Sequence, residues 1–356
     1  MIIEAPYEAW IKVILSSDAT IEDAIKVLND SGQKIVVVVD ALMKLVGTVS
    51  DGDIRRGLLR NQSLHNSLDE VINRNPIVTK FGVKHENILN LMDSRKIQQV
   101  PIIDENRKMV GLYIWENTHN LRRRDNSFVI MAGGKGTRLL PQTQNFPKPL
   151  LEVSGKPMLE HIILRAKKEG FFKFIISVHY LGTMIEDYFG NGEKLDIEIE
   201  YLREELPLGT AGALSLLDPQ PDQPIVVTNG DVISDIRYGE MLDFHVENHA
   251  VATMAVKLYE WQNPFGVVQT NGINVIGYQE KPILFSKINA GVYILSPHAI
   301  KNMARNNPID MPNLFENLQS ENERVIAYSI HEEWADIGLP NELLKANSKN
   351  TIDTGS

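Results

Sequence analysis

Apolar segments of strand length alternate with segments of helical spacing from Phe128 to Thr228. The predicted strands cover residues 128–131, 174–178, 197–201 and 225–228, and the predicted helices between them cover 158–169, 183–189 and 211–217. This alternation is typical of an α/β sheet with helices on both faces. Because ligands of such sheets bind at the carboxyl ends of strands, we expect functional loops after Met131, Tyr201 and Thr228.

The residues before this region form two weakly similar halves. Each half carries a helical segment, 20–29 or 83–96, followed by two strands, 35–39 and 45–49 or 100–103 and 110–114. Gly47 and Gly111 hold equivalent places 64 residues apart, a spacing longer than a solenoid repeat, which indicates a tandem pair of modules. Thr20, with Asp23 three residues later, predicts a capping box on the first helix.

The sequence therefore predicts a module pair over residues 1–120, a linker over 121–126 and a second domain over 127–350. The linker contains Arg122, Arg123 and Arg124, which we expect to be solvated. A formal net charge of -10 argues against a nucleic-acid partner, and the absence of cysteine excludes disulfides and thiolate metal sites. The N-terminus lacks the pattern of a signal peptide and the apolar runs are too short for a membrane span. We therefore expect a cytoplasmic protein with no membrane partner.

A glycine-rich segment, Ala132-Gly133-Gly134-Lys135-Gly136-Thr137-Arg138, directly follows the first strand of the second domain, and Pro147-Lys148-Pro149 comes soon after it. Glycines let backbone N–H groups approach phosphate oxygens, and a guanidinium binds phosphate through two hydrogen bonds. The spacing is neither that of a Walker loop nor that of a dinucleotide-binding loop. The segment is therefore a candidate phosphate site of another kind.

The pattern of this loop followed by Pro-Lys-Pro resembles the signature of nucleotidyltransferases that make nucleotide sugars, and the similarity covers residues 127–348. The resemblance implies a Rossmann-like, GT-A-like mixed sheet. It also implies that the loop residues Ala132, Gly133, Gly134, Gly136, Thr137 and Arg138 wrap a nucleoside triphosphate, while Lys148 neutralises phosphate charge. Two further matches, Asp231 after a strand and Asp336 in Trp334-Ala335-Asp336, would hold Mg²⁺.

The segment from Glu204 to Gly212 resembles the base-binding segment of this family, and it includes Gly209 and Thr210. Guanine presents two donors on its pairing edge, and the carboxylate of Glu204 can only accept, so the segment favours GTP. UTP and dTTP stay open, as does the alternative that Glu204 only caps a helix.

Two later segments resemble the sugar-phosphate site. Glu280 would accept hydrogen bonds from sugar hydroxyls and Lys281 would contact the phosphate. Gly266 would offer backbone groups to the sugar, and Asn289 would orient it.

Residues 8–120 resemble a pair of CBS domains, so that the whole chain would be a CBS (Bateman) α+β module followed by the α/β domain. In CBS pairs a hydroxyl residue and an aspartate three positions later hold the phosphate and ribose of an adenine nucleotide. Ser50 and Asp53 match those positions, whereas Ile114 and Asn117 stand at the second site. The resemblance implies at most one adenine or guanine nucleotide per pair, and assembly into a homodimer or larger oligomer. A dimerising module without ligand is the alternative.

These features indicate a reaction in which a sugar 1-phosphate attacks the α-phosphorus of GTP, or of another NTP, and pyrophosphate leaves, with catalysis by Arg138, Lys148 and Asp231. The domain order resembles that of the bacterial guanylyltransferases that make GDP-glucosamine for legionaminic acid, which favours glucosamine 1-phosphate. Mannose 1-phosphate and heptose 1-phosphate stay open. A nucleotide-sensing regulatory protein with an inactive transferase domain is the alternative of a different class.

Overall fold

The computed structural model describes residues 2–4, 10–115, 123–338, 342–344 and 347. The chain divides into two compact units, one formed by Met1–Asn120 with Glu260–Ser286 and the other by Leu121–Tyr259 with Lys287–Ser356. Among the described residues, no helix combines the length and the apolar character needed to cross a membrane.

The helices and strands follow in chain order. The N-terminal part contains β1 (Ile2–Glu4), β2 (Ile14–Ser16), α1 (Ile21–Ser31), β3 (Ile35–Val39), β4 (Leu45–Ser50), α2 (Asp51–Leu59), β5 (Thr79–Lys80), α3 (His85–Arg95), β6 (Gln99–Ile103) and β7 (Met109–Trp115). From there on the chain forms β8 (Phe128–Met131), β9 (Glu152–Val153), β10 (Lys156–Pro157), α4 (Met158–Lys167), β11 (Lys173–Val178), α5 (Gly182–Phe189), β12 (Glu198–Arg203), α6 (Gly209–Gly212), β13 (Ile225–Asn229), β14 (Val232–Ser234), α7 (Tyr238–Glu247), β15 (Ala252–Gln262), β16 (Val267–Asn271), β17 (Asn274–Gln279), β18 (Ile283–Leu295), α8 (Pro297–Lys301), α9 (Met311–Ser320), β19 (Val325–Ile330) and β20 (Trp334–Asp336).

The first unit repeats one strand arrangement. In the first half β2 runs parallel to β3 and β3 antiparallel to β4, and in the second half β5, β6 and β7 pair in the same way. The backbone N–H of Leu45 donates to the carbonyl of Arg107, and that of Met109 donates to the carbonyl of Met43, both at 2.9 Å. These two bonds join residues 62 and 66 positions apart, on either side of the 64-residue period that the sequence predicts.

The core of the first unit is shared between its halves. Val37 and Leu45 from the first half pack in one buried cluster with Met109 and Leu112 from the second. The predicted capping box at α1 is confirmed, since the Thr20 side chain accepts from the Asp23 N–H and the Asp23 carboxylate accepts from the Thr20 N–H.

The second unit is built on one seven-stranded mixed sheet in the order β12-β11-β8-β13-β18-β15-β19. Strands β12, β11, β8 and β13 are mutually parallel, whereas β18 runs antiparallel to β13. Phe128 and Ile130 pack in a cluster with α4, α5 and α7, while Val129 packs on the other face with α8 and α9. Helices therefore cover both faces, as expected for an α/β sheet whose inner strands β8 and β13 are mostly apolar.

The predicted helix over residues 211–217 is only partly correct. Helix α6 spans Gly209–Gly212 and continues as a 3-10 turn over Ala213–Leu216. The N–H groups of Ala211 and Gly212 both donate to the carbonyl of Ile309 instead of extending a regular α-helix.

Arg123 is exposed, as the sequence led us to expect of the linker arginines, whereas the Arg124 side chain is only 19% exposed. The Arg124 guanidinium makes two hydrogen bonds to the carboxylate of Asp243, at 2.8 and 2.9 Å, and lies over the ring of Phe171. Arg123 lies 3.4 Å from the ring centre of Phe172. Both side chains pack on the second unit, whose surface offers aromatic faces and carboxylates that a sequence-local prediction does not consider. Arg122 lies outside the described residues.

Candidate active site

A cavity of about 330 Å³ opens at the carboxyl ends of β8, β12 and β13. This volume falls within the usual range of small-molecule sites. Its walls come from the three loops that the strand pattern indicated, together with residues of two other segments. The lining residues are Met131, Ala132, Gly133, Gly134, Arg138, Lys148, Pro149, Glu204, Pro207, Leu208, Gly209, Thr210, Asn229, Gly230, Asp231 and Asp336.

At two glycines of the glycine-rich loop, a larger residue would force a neighbouring side chain or the backbone to move. A Cβ on Gly133 would lie 2.7 Å from Oε1 of Glu204, and Gly136 has a positive φ of 61°. Gly133, Gly134 and Arg138 line the cavity, whereas Gly136 and Thr137 are not among its lining residues. The Thr143 hydroxyl donates to the Gly136 carbonyl at 2.8 Å, and this bond helps to hold the loop in place.

Lys148 is buried, with 8% of its surface exposed, in a 3-10 turn that begins after Pro147. Its Nζ lies 2.5 Å from Oδ2 of Asp231. A buried ammonium requires a partner, and Asp231 supplies the opposite charge at the edge of the cavity. Two of the three predicted catalytic residues are therefore in direct contact.

Asp231 and Asp336 are brought together by a short antiparallel pair. In β14 and β20, Val232 lies opposite Asp336, and the Ile337 N–H donates to the Asp231 carbonyl at 3.0 Å. Burial raises the pKa of Asp336, the negative charge of Asp231 raises it further, and Lys148 and Arg138 oppose the shift. Two carboxylates and two cations thus interact within one site.

The chemistry of this acid pair fits a divalent cation. Oδ1 of Asp336 is buried and makes no hydrogen bond within the part of the chain that the structure describes. No three acidic, histidine or cysteine side chains of those residues form a complete metal site. Mg²⁺ commonly takes one or two carboxylates and completes its shell with phosphate oxygens and water. Asp231 and Asp336 could hold such an ion together with a phosphorylated ligand.

Comparison with known proteins agrees with this arrangement. A family model described as nucleotidyl transferase matches residues 127–352, which is more than half of the chain. The chain belongs to the nucleotidyl transferase family. A second model, described as CBS domain, matches residues 12–60, which is the first of the two N-terminal halves.

Several curated relatives of this nucleotidyl transferase carry guanylyltransferase names. Mannose-1-phosphate guanylyltransferase catalytic subunit beta of Danio rerio is 34% identical over 224 residues, which cover 61% of this chain and 62% of that protein. Mannose-1-phosphate guanylyltransferase of Mycobacterium tuberculosis is 31% identical over 228 residues, covering 62% of this chain and 63% of that one. The chain thus spans less than two thirds of the length of these relatives.

The fold of the nucleotidyl transferase unit also occurs in solved structures. A Bacillus anthracis protein assigned as a glucose-1-phosphate thymidylyltransferase, solved with sucrose, superposes with a TM-score of 0.52 at 22% identity. The likeness covers 63% of this chain and 94% of that one, and at this identity it establishes the fold alone.

Glu204 lies at the wall of the cavity and has protein partners of its own. One carboxylate oxygen accepts from the Ser177 hydroxyl, and the other accepts from the Leu208 N–H at 2.9 Å. A carboxylate has about four acceptor positions, so capacity for further donors stays available. Glu204 therefore shapes the 204–208 turn, whatever else it binds.

Gly209 and Thr210 follow that turn, and Asp310 contacts both. Gly209 has a φ of 77°, and a Cβ there would lie 2.8 Å from Oδ1 of Asp310. The same oxygen accepts from the Thr210 N–H at 2.9 Å. Asp310 was not predicted from the sequence, nor was Asn229, which lines the cavity at the end of β13. Only the place of Asn229 beside Asp231 in the sequence could have drawn attention to it.

The four predicted sugar-phosphate residues do not share one unit. Gly266, Glu280 and Lys281 lie in the segment Glu260–Ser286, which belongs to the first unit, whereas Asn289 belongs to the second. Glu280 accepts from the hydroxyl of Tyr278. Asn289 donates to the Tyr293 hydroxyl at 2.7 Å, and burial raises the pKa of Tyr293 to about 12.

Ser50 and Asp53 form a capping box at the start of α2. The Asp53 carboxylate accepts from the Ser50 N–H at 2.9 Å and from the Ser50 hydroxyl at 2.6 Å, while Ser50 accepts from the Asp53 N–H. Thr20 and Asp23 form the same arrangement at α1. The spacing that matches a CBS ligand pair thus also has a local structural role. Ile114 lies at the end of β7, and Asn117 lies outside the described residues.

Proposed function

We propose that this nucleotidyl transferase converts GTP and a sugar 1-phosphate to a GDP-sugar and pyrophosphate. The observation that carries the proposal is the meeting of Arg138, Lys148, Asp231 and Asp336 at one cavity next to a glycine-rich loop. Cations and backbone N–H groups suit a triphosphate, and paired carboxylates suit its divalent ion. An inactive, nucleotide-sensing domain would not require this full set.

In the proposed reaction an oxygen of the sugar 1-phosphate attacks the α-phosphorus, a new P–O bond forms, and the bond to the β-phosphate oxygen breaks. The attacking phosphate is already ionised at neutral pH, so no general base is needed. Arg138 and Lys148 bind the departing pyrophosphate, and the rigid loop holds the triphosphate in line for attack. Mg²⁺ held by Asp231 and Asp336 would supply further neutralisation of phosphate charge when bound.

Guanine is favoured as the base for two reasons. Glu204 lies at the cavity wall as an acceptor-only group, which suits the two donors of the guanine pairing edge. The curated relatives at 34% and 31% identity are named guanylyltransferases. We therefore place GTP ahead of UTP and dTTP.

For the sugar we favour glucosamine 1-phosphate, because the order of the domains resembles that of the GDP-glucosamine enzymes. Mannose 1-phosphate is the second candidate, since it appears in the names of the relatives. Glu280, Lys281, Gly266 and Asn289 are the proposed contacts to the sugar phosphate.

The test is a pyrophosphate-release screen of the full chain with five nucleoside triphosphates against glucosamine, mannose, glucose and heptose 1-phosphates. We expect release with GTP and one of these sugars, and loss of release in the presence of EDTA. Release with UTP or dTTP in preference to GTP would contradict the assignment of the base. Absence of release with every pair would contradict the proposed function.

For the N-terminal module we propose a CBS pair that binds at most one adenine or guanine nucleotide at Ser50 and Asp53 and that joins chains into a homodimer or larger assembly. A cytoplasmic location fits this substrate chemistry. Calorimetry of the full chain with AMP, ATP, GDP and GTP, together with light scattering, tests both parts. A monomer by scattering would contradict the assembly. Besides the transferase site, at most one further bound nucleotide per chain is expected, and two would contradict the proposal.

A further inference from the structure

The loop that follows Glu204 is attached at its far end to a distant part of the same unit. The carbonyl of Leu208 accepts from the Ile309 N–H at 2.9 Å, and the carbonyl of Ile309 accepts from the N–H groups of Ala211 and Gly212 at 3.0 and 3.1 Å. These bonds run between segments about 100 residues apart in sequence. Thr210 takes no part in these bonds and is held instead by its contacts with Asp310.

Those contacts form a closed group of three residues. Oδ1 of Asp310 accepts from the Thr210 N–H at 2.9 Å and from the Thr210 hydroxyl at 3.2 Å. The same hydroxyl accepts from the Met311 N–H at 2.8 Å. Both donors of Thr210 are therefore directed at Asp310, and the hydroxyl oxygen caps the first turn of α9.

Asp310 occupies the N-cap position of α9, where an aspartate normally accepts from its own helix. Here its side chain makes no capping bond to the described amides of α9. The carboxylate is instead used on the cavity loop, and Thr210 caps the helix in its place. This exchange of partners indicates that Asp310 serves the loop.

This swap of hydrogen-bond partners changes the role expected of Thr210. The sequence resemblance implies that Thr210 contacts the nucleotide, but phosphate and ribose acceptors need donors, and both donors of Thr210 are already used. Gly209 adds a steric reason, since only a residue without Cβ fits beside Asp310 at a φ of 77°. The two residues are therefore better suited to holding the loop than to binding the ligand.

We propose that Asp310 is a positioning residue for nucleotide binding: through Thr210 it fixes the 204–210 loop against the cavity. The proposal rests on the proposed function, because the loop is there the wall that faces the guanine base. Asp310 itself is exposed and is not among the lining residues of the cavity, so it acts through the loop.

The first arm of the test needs no substrate. Hydrogen exchange of the full chain is followed in peptides that cover residues 204–212, for the wild type, Asp310→Ala, Asp310→Asn and Glu316→Ala. We expect Asp310→Ala to raise the exchange rate of this segment about tenfold, because its Thr210 N–H loses its acceptor. The Asn variant keeps an acceptor oxygen, and Glu316→Ala removes the same charge from an exposed position on α9, so both should stay near the wild type.

The second arm is kinetic. Asp310→Ala should raise the KM for GTP about fivefold with kcat changed less than twofold, because the loop must be ordered on binding. Asp310→Asn should restore the KM to within about twofold of the wild type. If Ala and Asn variants behave alike, the effect comes from charge and positioning is wrong; unchanged exchange in Asp310→Ala overturns the proposal outright.

A third variant covers the case in which Asp310→Ala fails to fold. Thr210→Val keeps the side-chain shape and the backbone N–H but removes the hydroxyl that links Asp310 to α9. We expect exchange in 204–212 to rise by a smaller factor than in Asp310→Ala; exchange unchanged from the wild type would contradict the proposal. If the wild type releases no pyrophosphate from any substrate pair, the proposed function fails, while the exchange arm still decides the anchoring.

Discussion

Asp336 has surroundings that restrict what the cavity can bind. Its Oδ1 is buried and receives no hydrogen bond from the described residues. Burial raises the pKa of Asp336, and the charge of Asp231 raises it further. A nearby cation stabilises a buried carboxylate. Lys148 and Arg138 oppose the shift in the pKa of Asp336, and Nζ of Lys148 lies 2.5 Å from Oδ2 of Asp231. These surroundings would suit the divalent ion proposed above, which would enter with the phosphates.

Asp231→Asn and Asp336→Asn should each lower kcat by two orders of magnitude or more, because an amide is a poor ligand for a hard cation. Turnover at saturating Mg²⁺ and the circular dichroism of each variant check this. The control is Asp243→Asn on α7, which changes an acid that binds Arg124 on another part of the unit. Near-normal turnover in either variant would remove that residue from the ion site.

Glu204→Gln should lower the preference for GTP over UTP about tenfold, since one charge-assisted bond to the base is lost. The amide oxygen can still accept from the Leu208 N–H, and the amide nitrogen can donate to Ser177, so the turn survives. The ratio of kcat/KM for the two nucleotides is the measurement. An unchanged ratio would leave Glu204 with only its role in the turn.

His245 predicts a pH dependence of stability. Its ring nitrogens lie 2.8 Å from the Thr253 hydroxyl and 2.9 Å from the Ser296 hydroxyl, and burial lowers its pKa to about 4. Because the unfolded chain binds the proton more readily, this stability is present above pH 6.5 and is lost as pH falls towards 4, by up to about 3 kcal/mol. Urea unfolding at several pH values should show a flatter profile in His245→Asn. The exposed His249→Asn, at a positive φ that Asn tolerates, should keep the wild-type slope.

At the scale of elements, helices α1 and α2 both begin with a capping box made of a hydroxyl residue and an aspartate. Ser50→Ala and Thr20→Ala should each lower the free energy of unfolding by about 1 kcal/mol, because each removes one N-cap acceptor. If Ser50 also binds a nucleotide, only Ser50→Ala should abolish the second binding event in calorimetry. Equal binding by the two variants would leave Ser50 with its capping role alone.

The elements also show which features a sequence can predict. The strands around the glycine-rich loop and Asp231 follow from local patterns, because adjacent residues decide where a buried strand ends. Asp310 escaped prediction because its partner Thr210 lies 100 positions earlier and no local pattern relates them. The packing of Arg124 on Phe171 and Asp243 was missed for the same reason.

At the scale of the whole molecule, the hairpin β16–β17 belongs by its contacts to the first unit. The Ser63 hydroxyl donates to Oε1 of Glu260 at 3.1 Å, at the start of the segment that carries Glu280 and Lys281. Glu260→Ala and Ser63→Ala should each lower the free energy of unfolding by about 1 kcal/mol, because each removes one partner of this hydrogen bond. Urea unfolding is the measurement, and Glu105→Ala, at an exposed turn of the same unit, should stay near the wild type. Unchanged stability in both Glu260→Ala and Ser63→Ala would contradict this role of the bond.

The insertion of Glu260–Ser286 between two parts of the second unit has a consequence for biosynthesis. Residues 1–115 emerge from the ribosome first, and the buried cluster of the first unit is formed by these residues alone. The seven-stranded sheet instead waits for β18 and β19, and β18 is the neighbour of the central strand β13. During the synthesis of about 65 residues, β8, β11, β12 and β13 would exist without that neighbour and with an apolar edge uncovered. The translation rate after residue 230, rather than the stability of the finished protein, should decide how much of the chain escapes aggregation.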